Sequence, residues 1–197
     1  MAWTAPRTWS AGELVTAALL NTHVRDNLLV TGVAKVTTAG DLTYATAANV
    51  VARLALGTRG QTLVSGASAP EWSSGPSVSI DDTGRTTAST SYVALTGAPS
   101  VTITTGTKAI MWITARMSNN GGSNRSWLSC AVSSATTIAA SDAVSVEIDN
   151  TNAGEETRLG MAHIYTLTAG SNVFTLNARV AAGTGTFENQ SLIVGAL

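Results

Sequence analysis

The chain has 197 residues, 12% of them charged, with a formal net charge of −1 and a mean hydropathy of +0.20. That length suffices for one good core plus accessory elements. So balanced a charge leaves no basic footprint for nucleic acid and no polybasic run for an anionic membrane. Aromatic residues make up 5%, so the apolar content is mostly Ala, Val, Leu and Ile, set among Ser, Thr and Gly; this composition suits β structure with large buried interfaces.

Residues 1–9 hold Trp3, Pro6, Arg7 and Trp9. Two tryptophans in so short a segment each bring about 150–250 Å² of surface to bury. Either they fold back as a staple on the following helix, or Trp3 and Trp9 plug into another protein as an anchor. No charged-then-apolar secretion signal is expected here, and no apolar run approaches the ~18 residues of a membrane span.

Ser10-Ala11-Gly12-Glu13 has the form of a capping box, predicting a helix from Ser10 to about Val30. Leu14, Ala17, Asn21, Val24 and Leu28 fall on a 3-4 spacing. That is a coiled-coil seam in which a buried Asn21 fixes register at some cost in stability. A helix of about 33 Å is marginal alone and needs partners. His23 lies beside the seam and is expected in solvent. Val33 to Thr38 then reads as a short strand.

The next stretch is punctuated by Gly40-Asp41, Gly57, Gly60, Gly66 and Pro70, which is turn chemistry. Within it Ala47, Ala48, Val50, Val51, Leu54 and Leu56 fit one or two helical turns, and Gln61 to Val64 fits a short strand. The run Gly40-Asp41-Leu42 … Tyr44-Ala45-Thr46-Ala47 … Leu54 … Leu56-Gly57 … Gly60-Gln61 … Leu63 … Ser68-Ala69-Pro70 … Trp72 resembles a connector of bacteriophage tail-fibre and other virion appendage proteins. The run Trp9 … Gly12-Glu13 … Thr16-Ala17 … Leu20-Asn21 … Arg25-Asp26-Asn27-Leu28 is similar to the segment that precedes it in such proteins. The two runs span about a third of the chain. The resemblance implies a virion component, made in the host cytoplasm and released by lysis, whose partners are other virion proteins. It does not separate tail from capsid.

Ser73 to Ser77 reads as a boundary, and from Val78 the apolar period becomes two. Candidate strands are Val78–Asp81, Ser91–Leu95, Ser100–Thr104, Lys108–Met117, Arg125–Ser134, Ala143–Asp149, Thr157–Thr168, Asn172–Ala182 and Thr186–Ala196, parted by Gly-rich turns. Such spacing predicts a β-sandwich, most simply a jelly roll. In Lys108–Met117 both faces are apolar: Met111, Ile113 and Ala115 on one, Ile110 and Trp112 on the other. In Thr157–Thr168, Ala162 and Ile164 back the face of Leu159, Met161, His163, Tyr165 and Leu167. A two-layer sandwich covers one face of each strand; another subunit is the natural cover for the second. The final run Thr186 to Leu197 and the Ser91–Leu95 region resemble the tumour-necrosis-factor and complement jelly rolls, which implies a homotrimer.

The expected organisation is therefore mainly β: an anchor and trimeric coiled-coil helix over 1–38, a small connector over 39–77, and a jelly-roll β-sandwich over 78–197. Attachment to a host-surface glycan falls to the turn Asn119-Asn120-Gly121-Gly122-Ser123-Asn124-Arg125, where Asn119, Asn120, Asn124 and Arg125 are the candidate contacts, because loops carry function on such scaffolds. A capsid decoration or head fibre is the alternative role. A glycan-degrading enzyme is disfavoured: there is no nucleophile elbow, His23 and His163 sit on different modules, and the acid pairs Asp81-Asp82 and Glu155-Glu156 lie in turns. The run from Asp149 fails the EF-hand pattern, so no metal or cofactor is expected. Cys130 is single and reads as a small buried hydrophobe.

Overall fold

A computed structural model describes residues 1–197 except 1–3, 6, 49, 67 and 74. The chain divides into two compact units, Met1–Ser74 and Gly75–Leu197. Trp3 and Pro6 lie outside the described residues.

In the first unit the helix begins later than the capping box predicts. Glu13 Oε2 does accept from the Ser10 amide at 3.2 Å, but Gly12 takes φ +78° and the segment is a turn. Helix starts at Ala17–Leu20, with Thr16 as the cap accepting from Leu19 N at 3.3 Å. It continues through one π turn, Asn21–Arg25, into Asp26–Leu29. A separate helical turn, Gly32–Lys35, replaces the strand expected after Val33.

The connector is two hairpins. Strands β1 (Leu42–Ala47) and β2 (Val50–Leu54) pair antiparallel where helical turns were expected. The β formers Thr43, Tyr44, Thr46, Val50 and Val51 outweigh the alanines. Strands β3 (Thr62–Ser65) and β4 (Pro70–Ser73) form the second hairpin, close to the strand expected from Gln61. Residues of the appendage-like run hold these pieces together. Gly40, at φ +88°, packs where a Cβ would come within 2.9 Å of Leu56. Gly57 lies against the Trp72 ring, a Cβ there meeting it at 2.6 Å, and Trp72 Nε1 donates to Ala55 O at 2.8 Å.

Asp41 is the hub. Its carboxylate accepts from Thr37 N (3.1 Å), Thr38 N (2.9 Å), Leu56 N (3.2 Å) and Arg53 (3.2 Å). Desolvation pushes its pKa up, but the three amides and Arg53 outweigh it and hold the carboxyl below its ordinary 3.8. A depressed carboxyl contributes stability above that ordinary value and loses it as pH falls through the lowered one. Acidification below pH 3.8 is therefore expected to lower the protection factors of the Thr38 and Leu56 amides, exchange being compared with the intrinsic rate at each pH. The Asp41→Asn variant is expected to exchange fast at both sites already at neutral pH; wild-type protection in that variant would remove Asp41 from this role.

The second unit contains β5 (Ser77–Asp81), β6 (Arg85–Thr87), β7 (Val93–Ala94), β8 (Ser100–Thr105), β9 (Lys108–Asn119), β10 (Arg125–Ser134), β11 (Ser145–Asp149), β12 (Thr157–Thr166), β13 (Gly170–Val180) and β14 (Gly185–Ala196). All but the short β6 match expected strands to within a few residues. One sheet has the order β11-β10-β13-β7, with β8 also on β13; the other is β12-β9-β14-β5, with β6 also on β14. This is a doubled ribbon rolled on itself: β10 pairs β11, β9 pairs β12, β8 pairs β13 and β5 pairs β14, while β9–β14 and β10–β13 join the rungs within each sheet. That strand order is a jelly roll.

Alternation fills the space between the sheets. Met111, Ile113, Ala115 and Met117 of β9, Leu128, Cys130 and Val132 of β10, Phe174 and Leu176 of β13 and Phe187, Leu192 and Val194 of β14 are buried in one cluster. Tyr165 packs edge-on against Phe174 (centroids 5.9 Å) and its hydroxyl donates to Cys130 O at 3.1 Å. Burial pushes the Cys130 thiol up to about 12, so it stays protonated. A bulge in β14 between Glu188 and Ser191 turns Gln190 into the core and separates a charged end of the sheet from an apolar centre.

Candidate functional site: assembly faces and an end loop cluster

The outward faces of the two sheets differ in kind. On the β8-bearing sheet, cross-strand rows read Ser100–Thr175–Ala131, Thr102–Val173–Ser133 and Asn177–Ser129–Ser145, polar at most positions. The large apolar group there, Trp127, is only 6% exposed. Arg179 roofs it, its guanidinium carbon 3.6 Å from the ring centroid. Arg179 is held in turn by Asp142 through two bonds, Nε to Oδ1 at 2.9 Å and Nη2 to Oδ2 at 2.5 Å. Tyr92 also donates to Asp142 Oδ1 at 2.9 Å, and burial pushes the Tyr92 hydroxyl up to about 12, keeping it a donor at neutral pH. No sequence pattern marks this roof, because its members lie far apart in the chain.

The other sheet is apolar outside as well as inside. Val78, Ile193, Trp112 and Ala162 stand side by side on β5, β14, β9 and β12. Ile110 faces Ile164 and Gly195 in the next row, and Ile80 flanks on β5. Trp112 is 37% exposed, Ile164 53% and Ile80 62%. Charge lies at the two ends, where Arg116 pairs with Glu188 and with Glu156 at 3.1 Å and where Lys108 is exposed beside Thr166. An apolar centre with charge at its margin is the anatomy of a protein interface.

The N-terminal helix has the same two-sidedness. Leu14, Ala17, Asn21, Val24 and Leu28 are all exposed; Leu14 lies before the helix start, and the π turn Asn21–Arg25 interrupts the 3-4 spacing of the other four. The opposite face is covered. Asn27 is buried and its amide clasps the arm: Thr4 N donates to Oδ1 and Nδ2 donates to Thr4 O, both at 3.0 Å, with Nδ2 also on His23 O at 3.1 Å. Trp9 meets the His23 ring edge-on at 6.5 Å under Arg7, so Trp9 folds back onto its own helix. His23, expected in solvent, is half-buried, and its Nδ1 is buried with no hydrogen-bond partner among the described residues. Sequence reading picked Asn21 as the structural amide; Asn27 was missed.

The four candidate glycan contacts come together at one end of the sandwich, but not all point outward. Asn119 is 1% exposed. Its Nδ2 donates to Ser126 Oγ (3.0 Å) and Ala182 O (3.1 Å), and its Oδ1 accepts from Gly121 N (3.0 Å). Asn150, buried beside it, donates to Glu155 O at 2.8 Å. Asn120 is exposed, its Oδ1 accepting from Thr184 N at 2.8 Å. Arg125 is paired with Asp149 (3.2 Å) and Glu147 (3.4 Å). Asn119 therefore orders the loops, and Asn120 and Asn124 are the amides nearer the surface. Among the described residues no three His, Cys, Asp or Glu side chains gather to hold a metal, and no helix is long and apolar enough to cross a membrane.

No family model matches the sequence and no curated protein matches it. Among solved structures, the chain is similar to one from the infectious bursal disease virus Gt strain, at 12% identity and TM-score 0.45, over 78% of this chain and 41% of that one. It is also similar to Eiger TNF from S. frugiperda (9% identity, TM-score 0.33, 58% of this chain and 91% of that one). A third is the CBM22-1 xylan-binding domain of Paenibacillus barcinonensis Xyn10C (13%, 0.30, 61% and 86%). The chain thus spans well under half the length of the viral chain. The jelly-roll assignment rests on strand order alone.

Proposed function

We propose that this chain is a structural component of a bacteriophage particle: a trimeric fibre or spike, attached to the particle through its N-terminal unit, whose β-sandwich head presents end loops to a host-surface glycan. The observation that carries the reading is the apolar outer face around Trp112, set against the polar opposite face where Trp127 is roofed by Arg179. Every ~100 Å² of that face removed from water is worth about 2.5 kcal/mol, so copies of the head gain by covering one another. The uncovered helix seam supports the same arrangement, and the appendage-like runs at 9–28 and 40–72 support the particle context. The role is binding and scaffolding, without catalysis; release of sugar from host glycan by the purified protein would overturn that part.

Light scattering of the full chain at micromolar concentration tests the core of the reading. The expected mass is three times the 20.1 kDa of one chain; a stable monomer sinks it. The two ends are tested separately. Deleting residues 1–9 is expected to leave a folded trimer that no longer enters particles. Asn120→Ala with Asn124→Ala is expected to weaken adsorption to host cells, and unchanged adsorption would move the receptor face elsewhere.

A further inference from the structure

The geometry points to Asn120 as a latent modification site: an Asn–Gly pair poised for succinimide formation and deamidation, held back by Asn119 and by the backbone of Thr184. Asn120-Gly121 is the sole Asn-Gly dipeptide in the sequence, and Asn120 is exposed at the end of β9. Glycine on the C-terminal side offers no side chain to hinder approach of its nitrogen to the preceding amide carbon.

The reaction has a defined course. The Gly121 backbone nitrogen gives its proton to base and attacks Asn120 Cγ. A C–N bond forms, the protonated base returns the proton to Nδ2, the Cγ–Nδ2 bond breaks, and ammonia leaves. Water then opens the five-membered ring at either carbonyl, yielding aspartate or an isoaspartyl linkage. The product carries one carboxylate that the starting loop lacks.

Two contacts oppose the first step. The Gly121 N–H that must be surrendered is donated to Asn119 Oδ1 at 3.0 Å, which directs the nitrogen at Asn119 and not at its own neighbour. The Asn120 side chain is turned the other way, its Oδ1 accepting from Thr184 N at 2.8 Å while Asn120 N donates to Thr184 O at 3.0 Å. Asn119 is itself locked by Ser126 and Ala182. Gly183 sits directly beneath: a Cβ there would lie 2.6 Å from Asn119 Oδ1 and 2.8 Å from Asn120 Oδ1, so the loop before β14 holds both amides in place. Asn119 is a positioning residue in this scheme, restraining a reaction at its neighbour.

The test is peptide mapping by mass spectrometry, with isoaspartate detection, of full-length protein aged in mildly alkaline buffer. Folded wild type is expected to deamidate at Asn120 at least about tenfold more slowly than the same chain held in urea, the scale set by releasing hydrogen bonds of this kind. Asn119→Ala removes the acceptor for Gly121 N–H and is expected to react about tenfold faster than wild type. Asn119→Asp retains an Oδ1 acceptor but loses both donors to Ser126 and Ala182, so it controls for loosening of the loop and is expected to stay near the wild-type rate. Equal rates for folded and unfolded wild type would overturn the proposal. So would Asn119→Ala at the wild-type rate, or Asn119→Asp as fast as Asn119→Ala. If Asn119→Ala does not fold, the wild-type comparison still decides the matter, and Asn119→Asp reacting as fast as the chain held in urea would overturn the proposal.

Discussion

Replacing Trp112 by glutamate is expected to leave the β-sandwich folded and to dissolve the proposed trimer. The side chain projects from β9 away from the core, between Ile193 and Ala162, so the single chain gains no buried charge from the change. In a trimer joined through this face, three carboxylates would be desolvated close to one another. Each such burial costs several kcal/mol, and like charges at short range add to it. The mass by light scattering is expected to fall to that of one chain while the thermal transition of the sandwich persists. An unchanged mass would place the contact between copies elsewhere, on the helix seam or not in this molecule.

Phe174→Ala should do the reverse and strike the fold itself. Phe174 is fully buried at the centre of the cluster, against the Tyr165 ring. Large-to-small changes at such a site cost about 3–5 kcal/mol, part transfer and part cavity, which is a large fraction of the ~5–15 kcal/mol that holds a domain together. Urea unfolding is expected to show the midpoint shifted by that amount with the slope retained. A loss below about 1 kcal/mol would mean that the neighbours collapse into the space. Together the two substitutions separate the core between the sheets from the outer face of the sheet that bears Trp112.

How much of this was legible in the sequence follows from the physics of each element. The sandwich strands were, because period-two alternation over long runs has no competing reading once Gly-rich turns bound it. Arg125–Ser134 was expected with the bounds it has. The outer apolar face was legible too, as Ile110, Trp112, Ala162 and Ile164 on the wrong side of their strands. The connector was not, because Ala47, Ala48, Val51 and Leu54 satisfy a helical period while Thr43, Tyr44 and Thr46 favour a strand. What decides between them is Asp41, whose bonds to Thr37, Thr38 and Leu56 span the hairpin. The helix start was misplaced because Ser10 and Glu13 make only half of the capping box around a left-handed Gly12. Among the end loops, composition identified a cluster of amides but not that Asn119 points inward, since that depends on Ser126 and Ala182 arriving from other strands.

The rolled ribbon also sets an order of events during synthesis. β14 is the central partner of β5 and β9, yet it follows both in the chain, so the sheet bearing Trp112 cannot close until β14 has been made. Pairings this distant in sequence fold slowly. The hairpins β1–β2 and β3–β4 and the helix before them are local and can form as soon as they emerge, in keeping with N-terminal units folding first during translation. If the proposed trimer forms through the helix seam, nascent chains growing on one message would meet there before their heads exist. Partner choice would be settled by the N-terminal unit, and the apolar head face would appear only when a neighbour is already tethered beside it to cover it.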